Sequence, residues 1–237
     1  RFMREELGEP DLFCKNLGNG RFEPVPWTSG RFLDEDGNPL ASPPLEWGLS
    51  VAFRDFDGDG APDLYVCNDF GSPDRFWLND RHGHFRAAPR FALRGISFSS
   101  MGVDVADLDR DGNFDFMVVE MLSRNPQHRL TQRNSMRSEA LSTSPDRPQY
   151  PRNTLFMNRG DGAYAEIAQY AGVDASEWSW MPIFLDVDLD GHEDLLVPNG
   201  FIRDNMNMDV QNRINQLNAG KKLLSVDDLS QRTLFPP

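Results

Sequence analysis

A nine-residue acidic motif occurs three times in this chain, with the same spacing each time. Each copy reads Asp-x-Asp-x-Asp-Gly-x-x-Asp, so four carboxylates fall within nine residues. Carboxylates this close repel one another unless a cation lies among them. One such loop is compatible with a solvated turn, but three identical spacings favour three metal sites. The side chains concerned are Asp55, Asp57, Asp59 and Asp63 in the first loop, Asp107, Asp109, Asp111 and Asp115 in the second, and Asp186, Asp188, Asp190 and Asp194 in the third.

The spacing within each loop predicts how the ligands are arranged. Alternate positions turn the first three carboxylates toward one centre, the glycine at position six lets the backbone bend sharply, and the last aspartate closes the cage. The main-chain carbonyl at position seven is expected to supply a further oxygen, and this position is held by Ala61, Asn113 and His192. Oxygen ligands in this number suit Ca²⁺ better than Mg²⁺ or Zn²⁺. We therefore predict three Ca²⁺ sites with metal–oxygen distances of about 2.3–2.6 Å.

The loops differ from EF-hands. An EF-hand loop carries a bidentate glutamate at position twelve and lies between two helices, whereas position twelve here is Val66, Val118 or Val197. Short β-branched and aromatic runs flank each loop and predict β-hairpins instead. The aspartate at position nine then takes the place of the missing glutamate. The predicted strands cover 49–53 and 64–66, 103–105 and 116–119, and 183–185 and 195–197.

A second motif, Asn-x-x-x-Gly-x-aromatic, repeats in step with the acidic loops. It begins at Asn16, Asn79 and Asn158, and its Asn and Gly residues favour hairpin turns. An acidic loop begins 28 residues after Asn79 and again 28 residues after Asn158. A unit of about fifty residues with four antiparallel strands is the signature of a β-propeller blade. The predicted fold class is therefore all-β, built from four-stranded blades.

These repeats divide the chain into parts of a single propeller region, 1–237. Together they make about three blades, fewer than the four or more that close a propeller. The missing blades are expected from the rest of a longer chain or from self-association. Helices are expected at 127–141 in an insertion and at 209–224 in the tail. The predicted parts are a half-blade at 11–26, a blade at 48–88, a blade at 101–167 with an insertion at 122–152, a half-blade at 180–198 and a helical tail at 201–237.

The loops and their surroundings resemble a known family. The acidic loops are similar to FG-GAP/VCBS repeats, the calcium-binding blades also found in integrin α-subunit propellers. The flanking sequences resemble the ASPIC/UnbV group, which is similar to cartilage acidic protein. The resemblance implies a secreted, calcium-stabilised propeller that serves as an interaction scaffold, and it implies no reaction. The matching stretches are WGLSVAF at 47–53, LYVCND at 64–69, NTLFMN at 153–158 and WSW at 178–180.

Composition limits the classes of partner. The net charge is −13, and the twelve aspartates of the loops account for most of it, so nucleic acid is not an expected partner. The sequence contains no apolar run of the roughly 18 residues that a transmembrane helix needs. The resemblance implies an extracellular, periplasmic or cell-surface protein, and this composition agrees with it. The two cysteines, Cys14 and Cys67, fall in predicted strands and are either buried free thiols or one disulfide.

The predicted topology places the acidic loops and the Asn/Gly turns at one end of the blades and the irregular segments at the other. The insertion 122–152 contains six arginines and only two acidic residues. If 127–141 is helical, Arg129, Arg133 and Arg137 lie on one face. These arginines either pack on the acidic surface of the same chain or dock an acidic protein or glycan. Nearby tryptophans are candidates for the same binding face, namely Trp27, Trp47 and Trp178.

The sequence offers little support for catalysis. His82 and His84 fall in a hairpin turn and His192 in an acidic loop, without a nucleophile or second ligand close in sequence. We therefore predict a non-catalytic, calcium-stabilised scaffold that binds protein or glycan. One alternative is a structural or self-assembling module. Another is a calcium-dependent lyase or hydrolase acting on glycans, since propellers also host enzymes.

Overall fold

The computed structural model describes residues 8–132, 147–201 and 206–218. Short strands dominate this part of the chain, and the predicted all-β fold of propeller-like blades is confirmed. The strands are β1 Cys14–Gly18, β2 Arg21–Pro24, β3 Phe32–Leu33, β4 Gly48–Arg54, β5 Asp63–Asn68, β6 Arg75–Asn79, β7 Phe85–Ala87, β8 Ile96–Ser97, β9 Gly102–Ala106, β10 Asp115–Val119, β11 Gln149–Tyr150, β12 Thr154–Asn158, β13 Tyr164–Glu166, β14 Ile183–Leu185 and β15 Asp194–Leu196. The helices are α1 Pro126–Thr131, α2 Ala168–Ala171 and α3 Met208–Asn218.

Two sheets have the antiparallel order of complete blades. Strands β4, β5, β6 and β7 form blade A, and each strand pairs with the next. Strands β9, β10, β12 and β13 form blade B in the same order. The short strand β3 adds to the outer edge of blade A, where it runs parallel to β7. Part of the segment between Trp27 and Trp47 thus extends a blade.

Two further hairpins have only half of this order. In the described residues, β1 and β2 pair only with each other, as do β14 and β15. The motif order makes β1 and β2 the third and fourth strands of a blade, which we call the outer half-blade. Likewise β14 and β15 are the first and second strands, which we call the inner half-blade. The described sheets do not close into a barrel.

The core lies between successive sheets, because each strand points alternate side chains to opposite faces. Blades A and B enclose the largest cluster, which includes Tyr65, Phe76, Phe116 and Phe156. The opposite face of blade A packs against Trp27 and Phe32 and against Phe13 and Val25, which flank the exposed strands of the outer half-blade. The opposite face of blade B packs against the inner half-blade. The second strands β5 and β10 are consequently buried along their whole length.

The described residues contain only part of each helix predicted in the insertion and the tail. In the insertion, α1 begins after Asn125, whose side chain accepts from Gln127 N, and it ends at Thr131. The rest of the predicted helix, with Arg133 and Arg137, lies outside the described residues, as does the tail beyond α3. No helix within the described ranges combines the length and the hydropathy required to cross a membrane.

Candidate metal centres

Each acidic loop joins the first two strands of a blade or half-blade. The loops follow β4, β9 and β14, and the aspartate at position nine begins the next strand. The Asn/Gly turn of blade A lies beside the first loop, because Arg81 Nε donates to Asp59 Oδ2 at 3.1 Å. The topology therefore brings the two repeated motifs to one end of the protein.

The main chain of every loop wraps around its own carboxylates. In all three loops, the aspartate at position one accepts hydrogen bonds from the N–H groups of positions five and six. The aspartate at position three also accepts from the N–H of position five. The N–H of position seven donates to the aspartate at position five, at 2.8 Å each time. One pattern of hydrogen bonds thus orients the carboxylates in all three loops.

The aspartate at position nine is the most restrained carboxylate in the first two loops. Asp63 is 0% exposed, and its Oδ1 accepts from Asn79 N at 2.7 Å. Asp115 Oδ1 accepts from Asn158 N at 2.8 Å in the same way. The other oxygen of each carboxylate accepts from the N–H at position two of its loop. The first residue of the Asn/Gly motif therefore holds the last aspartate of the acidic motif. These two residues are 16 apart in blade A and 43 apart in blade B, so the constant 28-residue step to the next loop did not indicate this contact.

The third loop lacks this restraint in the described part of the chain. Asp194 is exposed, and the hydrogen bond to its carboxylate comes from Val187 N at 3.2 Å. The carboxylates whose oxygens lie within 4.8 Å of one another differ accordingly. They occupy positions one, three and nine in the first two loops but one, three and five in the third: Asp55, Asp57 and Asp63; Asp107, Asp109 and Asp115; Asp186, Asp188 and Asp190.

Two predicted ligands of the first loops have other partners. Asp59 binds Arg81, and Asp111 Oδ2 accepts from Asn113 Nδ2 at 2.8 Å. Neither belongs to the close group of carboxylates in its loop. The position-seven carbonyls of Ala61, Asn113 and His192 remain predicted ligands. Three groups of carboxylates that could hold a metal ion are therefore present, with a shared core at positions one and three.

Burial and mutual repulsion both act on these carboxylates. Burial raises the pKa of Asp63 to about 6, and the neighbouring charge of Asp57 adds to this rise. Burial also raises the pKa of Asp115, with Asp109 and Asp111 adding to it. A bound cation lowers such pKa values, since it favours the charged forms. In the first two loops, binding of either a proton or a cation would therefore relieve the repulsion between the carboxylates.

Position six of each loop requires a left-handed backbone. The φ angles of Gly60, Gly112 and Gly191 are 90°, 89° and 90°. Position four is also left-handed, with φ angles of 62° in Arg110 and 61° in Leu189, which the motif spacing did not indicate. The backbone at position four is therefore strained in the second and third loops, where the residue is not glycine. At position six all three loops have glycine, which adopts this conformation without strain.

Replacing Gly60 by alanine should therefore destabilise the protein by about 1–2 kcal/mol. A Cβ at Gly60 would meet nothing within 4 Å, so the cost is backbone strain alone. Arg110→Gly should have the opposite sign, because it removes strain at a left-handed position. Urea unfolding of both variants in chelator measures the effect. Equal midpoints for Gly60→Ala and the parent protein would contradict this reading of the loops.

The predicted tryptophans do not form one surface. Trp27 is 8% exposed and packs on Phe32, with ring centroids 4.1 Å apart, while its Nε1 donates to Asp11 O. The prediction that Trp27 belongs to a binding face is therefore wrong, because its side chain is buried in the core. Trp47 is 38% exposed at the start of β4. Trp178 is half-buried and stacks on Phe201 at 4.1 Å.

The described arginines of the insertion pair with acids of the same chain. Arg129 forms an ion pair with Asp174 at 3.7 Å and also donates to Ser123 O. Arg152, whose side chain is 14% exposed, binds Glu166. These contacts favour the interpretation in which the arginines pack on the protein's own acidic surface. Cys14 is exposed and Cys67 is buried, and both are free thiols.

One comparison with known proteins identifies part of the chain. Residues 55–118 match the model of the FG-GAP-like repeat. A search of curated proteins gives no match. The matched segment begins at the first aspartate of the first loop, crosses the rest of blade A and ends in β10. It therefore contains the first two acidic loops and the Asn/Gly motif between them, and it supports the resemblance of these blades to FG-GAP/VCBS repeats.

Proposed function

We propose that this protein is a non-catalytic, extracellular scaffold whose propeller blades are stabilised by three Ca²⁺ ions. The observation that carries the proposal is the repeated arrangement of the loops. Each presents three carboxylates with oxygens within 4.8 Å, held by the same main-chain hydrogen bonds. Oxygen-only ligands on a flexible loop suit Ca²⁺. Blades of the FG-GAP type suggest a surface for protein interactions, since the repeat matched here is typical of such scaffolds.

The acids with the most raised pKa values support a structural role and not catalysis. Asp74 has a pKa of about 7 and Glu120 of about 8, in each case raised mainly by burial. They are 2% and 4% exposed, and each is hydrogen-bonded within the fold. A general acid or base has to reach its substrate. These perturbed groups therefore lie where a substrate cannot reach them.

The binding surface that we propose lies at the end opposite the acidic loops. Exposed aromatic side chains occur there, including Trp47 at 38%, Phe70 at 66% and Trp180 at 46%. Trp47 and Phe70 form an edge contact with centroids 5.3 Å apart. Aromatic side chains supply much of the energy at protein and glycan interfaces. Because Arg129 is paired within the chain, we assign recognition to these aromatic groups and support of the blade to the arginine.

Calcium titration tests the stabilising role. We expect three sites in isothermal titration calorimetry, with Kd values of about 10⁻⁴–10⁻³ M, the range of extracellular modules. At a calcium concentration of ten times Kd, each site should stabilise the native state by about 1.4 kcal/mol. The melting temperature should therefore rise with calcium and fall in chelator.

Variants at position three provide the matched control. Asp57→Ala, Asp109→Ala and Asp188→Ala should each remove one site and one part of the calcium-dependent rise in melting temperature. Mg²⁺ at the same concentration should give a smaller rise, because it prefers a rigid octahedral site. A melting curve that is the same in calcium and in chelator would overturn the stabilising role.

A further inference from the structure

The Asn/Gly turn of blade A differs from the other two copies at its third residue. In every copy, the side chain of the motif asparagine accepts a hydrogen bond from the N–H of the residue two positions later. The donors are Gly18 at 2.8 Å, Arg81 at 3.1 Å and Gly160 at 3.0 Å, and their φ angles are 81°, 64° and 68°. This left-handed backbone suits glycine and is strained with any other side chain. Blade A therefore has an arginine where the other two copies have the residue that fits the turn.

The side chain of Arg81 reaches the first acidic loop. Its Nε donates to Asp59 Oδ2 at 3.1 Å, and its Nη2 donates to the main-chain oxygen of the same aspartate. Asp59 N in turn donates to the carboxylates of Asp55 and Asp57, at 2.9 and 3.1 Å. Only one residue thus separates the guanidinium group from two members of the close group of carboxylates in this loop.

Blade B has a neutral group at the equivalent place. Asp111 Oδ2 accepts from the side-chain amide of Asn113 at 2.8 Å. A Cβ on Gly160 would lie 3.5 Å from that amide nitrogen, so this turn position faces the acidic loop in blade B as it does in blade A. The arginine of the blade B turn, Arg159, pairs with Asp161 of the same turn at 3.5 Å. The second loop therefore receives an amide where the first receives a guanidinium group.

We propose that Arg81 is an internal competitor for the cation of the first loop and makes this site weaker than the second. A guanidinium group beside the carboxylates offsets part of the negative charge that attracts Ca²⁺, and it repels the divalent ion. It also holds the outer oxygen of Asp59, which has to leave Arg81 before it can ligate a metal ion. This role of Arg81 rests on the proposed calcium binding and adds an order of affinity to it.

Solvent limits the size of the effect. The side chain of Arg81 is 62% exposed and that of Asp59 is 27% exposed. An ion pair at such exposure changes an equilibrium constant by up to about fivefold, and salt screens it. We therefore expect that removing the charge of Arg81 lowers the Kd of the first site for Ca²⁺ by about fivefold at low ionic strength.

Single-site proteins measure this effect in the full chain. Asp109→Ala with Asp188→Ala leaves the first site, and Asp57→Ala with Asp188→Ala leaves the second. Calorimetric titration with CaCl₂ at low salt should give a higher Kd for the first-site protein than for the second-site protein. Adding Arg81→Gln to the first-site protein should then lower its Kd by about fivefold, since glutamine removes the charge and remains polar.

Three further variants of the first-site protein separate charge from strain. Arg81→Gly removes the charge and the backbone strain together, and it should lower the Kd as Arg81→Gln does. Arg81→Lys keeps the charge but cannot make the same two-point contact, so its Kd should lie between the two. Arg159→Gln is the matched control, because it removes a charge from the equivalent turn that pairs within that turn. It should leave the Kd unchanged.

The dependence on salt gives a second readout. The ratio of Kd between the first-site protein and its Arg81→Gln variant should approach one as NaCl rises to about 1 M, because salt at this concentration screens exposed charges. A first site that binds calcium only after Arg81→Gln would also support the proposal. Equal Kd values with and without Arg81→Gln at low salt, or a first site tighter than the second, would overturn it and leave calcium binding standing. No binding by either single-site protein, with or without Arg81→Gln, would overturn both the competition and the proposed calcium role.

Discussion

Replacing Asp115 by alanine should destabilise the protein by about 3 kcal/mol even in chelator. The side chain is 1% exposed, and its oxygens accept from Leu108 N at 2.9 Å and from Asn158 N at 2.8 Å. Alanine removes the acceptor of both main-chain donors, and each unsatisfied donor costs about 1–3 kcal/mol. The same substitution also removes a carboxylate from the second proposed calcium site, so calcium should recover none of this loss through that site.

Asp109→Ala separates the loss of the main-chain hydrogen bonds from the loss of a calcium ligand. Asp109 is exposed and accepts a longer hydrogen bond, from Asp111 N at 3.3 Å. In chelator, this variant should unfold close to the parent protein, whereas in calcium it should lack the gain from one site. Urea unfolding of both variants, with and without calcium, measures the difference. Equal destabilisation by the two substitutions in chelator would show that Asp115 is a ligand only and does not hold the hairpin together.

Repetition made the fold predictable from sequence. Identical spacing in three loops located the hairpins, and the constant step from Asn79 and Asn158 to the next loop ordered the strands. The predicted flanking strands agree with β4, β5, β9, β10, β14 and β15 to within two residues at each end. Local patterns repeat because every blade has to satisfy the same main-chain hydrogen bonds and bury the same faces.

Features that depend on contacts between distant residues were not predictable in this way. The motif predicted Asp59 and Asp63 alike as ligands. In the structure, Asp63 accepts from Asn79 N, whereas Asp59 binds Arg81 and lies outside the close group of carboxylates. Trp27 lies in an irregular segment and has the composition of a binding residue, yet Phe32 and Trp77 enclose it. Spacing along the chain reports local geometry, whereas burial is decided by which sheets pack together.

The buried carboxyl groups give the second large effect, a loss of stability as the pH rises. Burial raises the pKa of Glu120 from 4.5 to about 8, and the nearby charge of Asp69 adds to the rise. Burial raises the pKa of Asp74 from 3.8 to about 7, while the hydrogen bonds from Asn68 N, the Tyr65 hydroxyl and the Ser100 hydroxyl act in the opposite direction. The folded protein therefore binds more protons than the unfolded chain between these values. The free energy of unfolding should then fall as pH rises, over pH 4.5–8 for Glu120 and 3.8–7 for Asp74.

Glu120→Gln isolates one of these groups. Glutamine resembles the protonated carboxyl group and does not titrate. The contribution of Glu120 to the slope of the unfolding free energy against pH, up to about 1.4 kcal/mol per pH unit, should therefore vanish in the variant. The variant should become more stable than the parent protein as pH approaches 8 and lose this advantage toward pH 5. Urea unfolding between these pH values, in chelator so that calcium does not contribute, provides the measurement.

Asp36→Asn is the control, because it removes one charge at an exposed position. If Glu120→Gln and Asp36→Asn follow the same pH dependence as the parent protein, the carboxyl group of Glu120 titrates alike in the folded and unfolded chains, and its burial carries no pH-dependent cost.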